Sequence, residues 1–160
     1  MRVQLSVIPD ASGTSAPWLA FASLLREYAE QDLAQPQLST IWKDLENLPA
    51  RYGQPAGGVV LLHVNDTLAG CMAYTTSKFA DCCELKRLFV RKLFRGNGYA
   101  SVLLNETMNR AKDAGYKRGA LSTWPDNPKA LELYRSLGFT PIESFKEDRG
   151  QNLIFLGKSF

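Results

Sequence analysis

The residues best suited to chemistry lie in the stretch Arg95-Gly96-Asn97-Gly98-Tyr99-Ala100, between an extended apolar run, Leu85 to Val90, and a run of helical periodicity, Ser101 to Ala114. Glycines at 96 and 98 let the backbone take positive φ and bring its N–H groups against a ligand with no Cβ in the way. A helix beginning near Gly98 adds the unpaired N–H groups of its first turn and the positive end of its dipole, a seat for a diphosphate. Many glycine turns only join two elements, so the surrounding charge matters. Lys86, Arg87, Arg91, Lys92 and Arg95 fall within ten residues. Residues 1–80 carry 5 basic and 7 acidic side chains and residues 81–160 carry 14 and 9, so the basic excess belongs to the half that holds the turn.

Two nucleotide cradles fail on spacing. The dinucleotide fingerprint needs a third glycine where Ser101 stands, and no Gly-Lys-Ser/Thr marks a mononucleotide loop. The spacing Arg95, two residues, Gly98, one residue, Ala100 instead resembles the pyrophosphate-binding signature of the GNAT superfamily of acyl-CoA-dependent N-acyltransferases, which reads Gln or Arg, x, x, Gly, x, Gly or Ala. The resemblance covers roughly residues 59–145, including the run Cys83 to Val90. It extends to Asn127, Ala130, Leu133, Tyr134 and Gly138-Phe139, which resemble the family's N-x-x-A-x-x-L-Y-x-x-x-G-F helix.

That resemblance implies acetyl-CoA as cosubstrate, no metal, and a cofactor site made of Leu88, Phe89, Val90, Arg95, Gly96, Asn97, Gly98, Tyr99, Ala100, Asn127, Ala130 and Tyr134. In the family, the strand before the cradle splays from its neighbour and pairs its backbone with the pantetheine amides, which places Leu88, Phe89 and Val90 there. The Val90 N–H is the family-matched candidate for holding the oxyanion. The Asn contacts the CoA arm and the Tyr hydroxyl points at its sulfur. Asn127 and Tyr134 are two helical turns apart and share a face. Read without the family, Asn127 is in the first place an N-cap and Tyr134 a core aromatic with a satisfied hydroxyl.

The chemistry sets limits on these roles. A thiol near pKa 8.5 and a tyrosine near pKa 10 make full proton transfer to the free thiolate uphill by about 2 kcal/mol, so hydrogen-bond donation is the safer role for Tyr134. An alkylammonium near pKa 10.4 has no lone pair at neutral pH, and a base must free it, directly or through water. Glu84 is the candidate, since several family members place a carboxylate at the start of this strand. Strand alternation puts Glu84 and Lys86 on one face and Leu85, Arg87 and Phe89 on the other. Lys86 is equally a structural ion-pair partner of Glu84, which would hold the carboxylate ionised and make it a poorer base.

The elements that must position these residues follow from periodicity. Val3, Leu5 and Val7 alternate as a strand over residues 2–8; Trp18 to Leu33 repeats at helical spacing; Thr40 to Leu48 is a second, shorter helix. Val59 to Val64 and Leu68 to Thr75 flank Asn65-Asp66 as a hairpin, after a loop over Gln54 to Gly58. The helix after the glycine turn carries Val102, Leu103, Leu104, Met108 and Ala111 on one broad face and ends at Gly115. Ala120 to Trp124 is a strand, Asn127-Pro128 opens a helix that stops at Gly138, and Phe139 to Phe145 and Asn152 to Leu156 close the chain as antiparallel strands around a polar hairpin at 147–151. The resemblance implies an α/β (α+β) GNAT fold, a mixed central sheet of about 6–7 strands with helices on both faces.

At 160 residues and 45% hydrophobic content the chain suits a single domain over 1–160. No apolar run reaches the ~20 residues of a membrane span, and no signal core opens the chain, so the expectation is a cytoplasmic protein with no membrane partner. Cys71, Cys82 and Cys83 form no C-x-x-C pair and the lone His63 has no zinc partner at ligand spacing. A net charge of +3 is too small to argue for nucleic acid, and no basic stripe is interleaved with aromatics, so no nucleic-acid partner is expected.

These readings converge on an N-acetyltransferase that moves an acetyl group from acetyl-CoA to a primary amine by direct attack in a ternary complex. The acceptor expected first is a small molecule such as an amino acid. Alternatives are an acetyltransferase acting on a protein amine and a noncatalytic acyl-CoA binding or sensing domain. A homodimer is left open. The acceptor site should be shaped by residues 18–58 and 72–80, where Trp18, Trp42, Tyr52 and Tyr74 are either pocket lining or core.

Overall fold

The run Val59-Val60-Leu61-Leu62 is apolar at consecutive positions, the pattern of a strand covered on both faces. The computed structural model, which describes residues 1–33, 35–148 and 150–160, covers it in that way. Val60 and Leu62 pack with Leu103, Leu104 and Met108 on one face, and Val59 and Leu61 with Trp18, Phe21 and Leu25 on the other.

The elements run β1 (Val3–Val7), α1 (Ala16–Gln31), α2 (Ile41–Glu46), α3 (Leu48–Tyr52), β2 (Gly58–Val64), β3 (Thr67–Thr76), β4 (Cys82–Val90), α4 (Tyr99–Asp113), β5 (Arg118–Thr123), α5 (Pro128–Ser136), β6 (Thr140–Pro141) and β7 (Ile154–Ser159). They build one seven-stranded sheet in the order β1-β2-β3-β4-β5-β7-β6. Every neighbouring pair is antiparallel except β4 and β5. Helices α1 to α3 cover one face, while α4 and α5 cover the other. The sheet is therefore mixed and flanked on both sides, as the family resemblance implied.

Local chemistry explains most boundaries. Asn65 and Asp66 both take positive φ, 49° and 66°, the twist that a two-residue hairpin needs. The Asn127 side chain accepts the Ala130 N–H at 3.4 Å and Pro128 occupies the first turn, so α5 starts where the N-cap signal lies.

Four expectations need correction. The short helix does not end the segment at Leu48. Asn47 accepts the Ala50 N–H at 3.3 Å and Pro49 sits in the first turn, so a further helix, α3, runs to Tyr52. Val102 is exposed at 36%, off the buried face of α4. The strand expected over Phe139 to Phe145 pairs only at Thr140–Pro141. Pro141 has no N–H to extend a ladder, and beyond Ile142 the chain turns Phe145 into a small cluster with Cys82 and Ala120. Its partner strand starts at Ile154, after Asn152 at φ 54°, and continues to Ser159. The polar hairpin expected at 147–151 includes residue 149, which lies outside the described residues.

The fourth correction lies inside β4. Cys71 pairs with Phe89 and Ala73 with Lys86, so Met72 alone faces both Arg87 and Leu88. This is a β-bulge, with Arg87 at φ 63°. An extra residue reverses the parity of the strand. Leu85 packs against the α4 side and Phe89 against the α1 side, so Leu85, Arg87 and Phe89 do not share a face.

Candidate active site

The parallel pair β4 and β5 is joined only at its start, Cys82, Cys83 and Glu84 opposite Arg118, Gly119 and Ala120. Strand β4 then runs on to Val90, while β5 beyond Ala120 pairs only with β7. The two strands splay, and the edge of β4 that carries Leu88, Phe89 and Val90 has no strand partner on the β5 side. Backbone groups along such an edge need hydrogen bonds from elsewhere. The crevice opens at the carboxyl ends of the parallel pair, where α4 and α5 both begin, the position at which open α/β sheets take their ligands.

At the β4 end of the crevice, Gly96 and Gly98 take φ 82° and 79°, and a Cβ on either would meet open space rather than protein. The torsions require glycine, whereas the packing does not. The first intrahelical bond of α4 runs from the Val102 N–H to the Gly98 carbonyl at 3.3 Å, so the N–H groups of Tyr99, Ala100 and Ser101 precede the helix ladder. Gly98 is the N-cap and contributes no side chain over them. Asn97 closes the loop from within, its Nδ2 donating to the carbonyls of Phe94 at 3.1 Å and Arg95 at 3.3 Å. The Tyr99 ring is buried in the core, and only its backbone is available to a ligand.

Arg95 is anchored away from the loop. Its Nε donates to the Val90 carbonyl at 2.7 Å, its guanidinium grips both carboxylate oxygens of Asp32 at 3.0 and 3.1 Å, and it lies over the Phe89 ring. In this arrangement it ties the end of β4 to the end of α1.

Tyr134 comes from α5 and lies against the same core as Leu85 and Val90, its ring edge-on to Phe139 at 5.9 Å. Its hydroxyl has no hydrogen-bond partner among the described residues. Burial pushes it well above the ordinary tyrosine range, and nearby Tyr28 adds to the rise. Tyr28, from α1, packs edge-on to Phe89 at 5.7 Å and is itself raised to about 12, by burial first and against the pull of Arg87. Two protonated phenols thus come to the crevice from opposite faces of the sheet.

Beside the crevice lies a pocket of about 750 Å³ with Tyr28, Glu84, Lys86 and Arg87 in its wall. Glu84 is buried, and three cations converge on it. Lys146 Nζ donates to Oε2 at 2.7 Å, Lys86 lies 3.9 Å from the same oxygen, and Arg51 reaches Oε1 at 3.4 Å. Burial, with Arg87 beside it, pulls Lys86 down to about 7 against the opposing pull of Glu84. The bulge sends Arg87 into a separate buried set. Its guanidinium meets Asp44 at 2.9 Å, Tyr52 at 3.2 Å and Thr40 at 3.1 Å. Burial would raise the Asp44 carboxyl, but Arg87 and the Tyr52 hydrogen bond hold it below the usual carboxylate range.

A family model described as the acetyltransferase (GNAT) family matches residues 18–139. The chain belongs to that family. An uncharacterized N-acetyltransferase of Schizosaccharomyces pombe (strain 972) is 29% identical over 139 residues, covering 85% of this chain and 84% of that protein. The uncharacterized N-acetyltransferase YjgM of Escherichia coli (strain K12) is 30% identical over 102 residues, 62% of this chain and 61% of the relative. Among solved structures, the PaiA N-acetyltransferase from Thermoplasma acidophilum in complex with coenzyme A shares the fold at TM-score 0.73 and 18% identity, covering 100% of both chains. The N-acetylglutamate synthase from Neisseria gonorrhoeae, complexed with coenzyme A and N-acetyl-glutamate, does so at TM-score 0.71 and 23% identity, over 98% of this chain and 35% of its own.

Within this GNAT frame, the glycine loop before α4 and the Asn127 cap of α5, the helix that carries Ala130 and Tyr134, follow the carboxyl ends of β4 and β5, and Glu84 lies in the adjoining pocket wall. Trp18, Tyr52 and Tyr74 are core, and Trp42 is exposed with its Nε1 on the Pro36 carbonyl, so none of the four lines the pocket. Sequence reasoning missed Tyr28, Arg51 and Lys146. Tyr28 looked like one more apolar position of α1, and the other two are ordinary surface cations until folding brings them to Glu84. The three cysteines are free and buried, and burial raises each thiol. Among the described residues, no cluster of His, Cys, Asp or Glu could hold a metal and no helix is long and apolar enough to cross a membrane.

Proposed function

We propose that the protein transfers an acetyl group from acetyl-CoA to a primary amine of a small molecule, by direct attack within a ternary complex. The observation that carries this reading is the splay of β4 from β5 with a positive-φ glycine loop at its mouth. It joins a free strand edge, suited to the amides of pantetheine, to a helix N-terminus suited to a diphosphate.

The amine nitrogen attacks the thioester carbonyl carbon. A C–N bond forms, the C–S bond breaks, and the electron pair leaves on sulfur. The nitrogen must lose its proton first. Three cations hold Glu84 ionised, which leaves it able to accept a proton but weaker as a base, and Oε1 is the oxygen with room to take it, since its one cation contact is the long one to Arg51, whereas Oε2 is held by Lys146. The cations around it also disfavour an ammonium in the pocket, which aids that loss. Tyr134 donates a hydrogen bond to the departing thiolate. Burial raises the pKa of the hydroxyl, so its proton is in place to be donated as the sulfur leaves. Arg95 shapes the loop through Asp32 and Val90, and the backbone of residues 96–100 meets the diphosphate.

The test is release of free CoA from acetyl-CoA over an amine panel. Glu84→Gln should lower kcat/KM near neutral pH, with the deficit shrinking as pH rises and the amine deprotonates unaided. A chain that binds acetyl-CoA and releases no CoA with any amine would be a binding domain. Stabilisation by ATP or NADH without any by CoA species would remove the acyl-CoA site.

A further inference from the structure

The charge in the acceptor pocket does not balance. Its wall holds six cations, Lys43, Arg51, Lys78, Lys86, Arg87 and Lys146, and four anions, Asp44, Glu46, Glu84 and Glu147. Asp44 is consumed by Arg87 and Tyr52. The excess is therefore concentrated at one place, where the single carboxylate of Glu84 faces Arg51, Lys86 and Lys146. Those cations come from α3, from β4 and from the segment leading to β7, so folding rather than sequence proximity assembles them. Lys86 is the most enclosed, with 10% of its side chain exposed, while Arg51 and Lys146 keep 38% and 32%. Their heads can swing to a ligand without leaving the pocket.

Buried charge is costly unless paired, and three cations on one carboxylate leave positive charge unpaired. Burial first and Arg87 next lower the pKa of the Lys86 ammonium, with Lys146 adding to the effect and Glu84 opposing it. A second anion would relieve it, and an Arg beside two lysines suits the planar fork of a carboxylate. Glu84 stands at the last residue where β4 still pairs with β5, so this anion seat adjoins the crevice that receives the acyl group.

We propose that the acceptor amine carries a carboxylate, held on Arg51, Lys146 and Lys86 while its amine lies at the mouth of the β4–β5 crevice. This rests on the acyltransfer reading above and adds the class of acceptor. A polyamine is disfavoured by the same charges, since its second ammonium would enter a set of cations.

The experiment compares amines that differ in one group: amino acids, their α-amides and methyl esters, and the polyamines putrescine and spermidine, each with acetyl-CoA. The acids should exceed their amides in kcat/KM by roughly 10- to 100-fold, chiefly through KM. Arg51→Gln and Lys146→Gln, checked for cooperative melting, should each shrink that ratio while acetyl-CoA affinity stays at the parent value. On the unmodified chain, succinate should compete with the amine and not with acetyl-CoA. Amides or polyamines turned over as well as the acids, an acid preference untouched in both variants, or succinate that fails to compete would each overturn the proposal and leave acyl transfer standing. Acetyl-CoA binding with no CoA release from any amine would remove both.

Discussion

The β4–β5 crevice and the charged pocket beside it are built by different means. The crevice is largely main chain: a strand edge left open by the β4–β5 splay, a loop with two positive-φ glycines, and the first turn of α4. The pocket is largely side chain, with cations from α3, β4 and the segment after β6 converging on two carboxylates, Glu84 of β4 and Asp44 of α2. A backbone site tolerates most substitutions and fails at the few positions where a torsion or an added charge intrudes. A side-chain site can be retuned residue by residue, at the risk of leaving a buried charge alone.

The strongest test of this contrast is Gly98→Asp. It sets a carboxylate at the proposed diphosphate seat, at a φ of 79° where side chains are rarely found, with open space and no neighbour to disturb. Acetyl-CoA binding measured by calorimetry should be lost while the fold survives. Parent-like affinity would mean that the cradle is not the cofactor site. Arg95→Ala should weaken binding less, because its side chain is spent on Asp32 and Val90.

Tyr134→Phe removes one hydroxyl from the crevice side. Under conditions limited by chemistry, kcat should fall by ~10² to 10⁴ with acetyl-CoA affinity unchanged. Full turnover would make Tyr134 a core residue only.

On the pocket side, Asp44→Ala strands the buried Arg87 guanidinium. Urea unfolding should show a loss of about 3–5 kcal/mol. A loss under about 1 kcal/mol, the range of exposed pairs, would show that water reaches this set and that the pocket is looser than its geometry indicates.

The smallest effect is a pH dependence. Lys86 has an ordinary value of 10.5 and sits at about 7 in the fold, lowered by burial and then by Arg87. Between those values the unfolded chain holds a proton that the folded chain has released, so this group makes stability rise with pH across the window, and its full penalty applies below about 7. Lys86→Met should therefore raise Tm more at about pH 6 than at about pH 9. An equal gain at both would show that Lys86 keeps its ordinary affinity for the proton.

What the sequence by itself determined is what neighbouring residues can express. Two glycines between an apolar strand and an amphipathic helix define a positive-φ loop and a helix start, because torsional freedom and a helix N-terminus are local properties. Asn127-Pro128 followed by Ala130, Tyr134 and Gly138 defines α5, because capping and helical spacing span only two or three turns. The hairpin at Asn65-Asp66 is legible for the same reason. Only the tertiary structure decided the rest. The bulge at Arg87 arises from how β4 registers against β3, and no periodicity in β4 alone shows where its faces exchange. Arg51 lies 33 residues from Glu84, Lys146 lies 62 away, and Asp44 stands 43 from Arg87. Electrostatic pairing depends on distance through space, and a chain that must first fold to bring these charges together carries no local mark of which carboxylate each cation will meet.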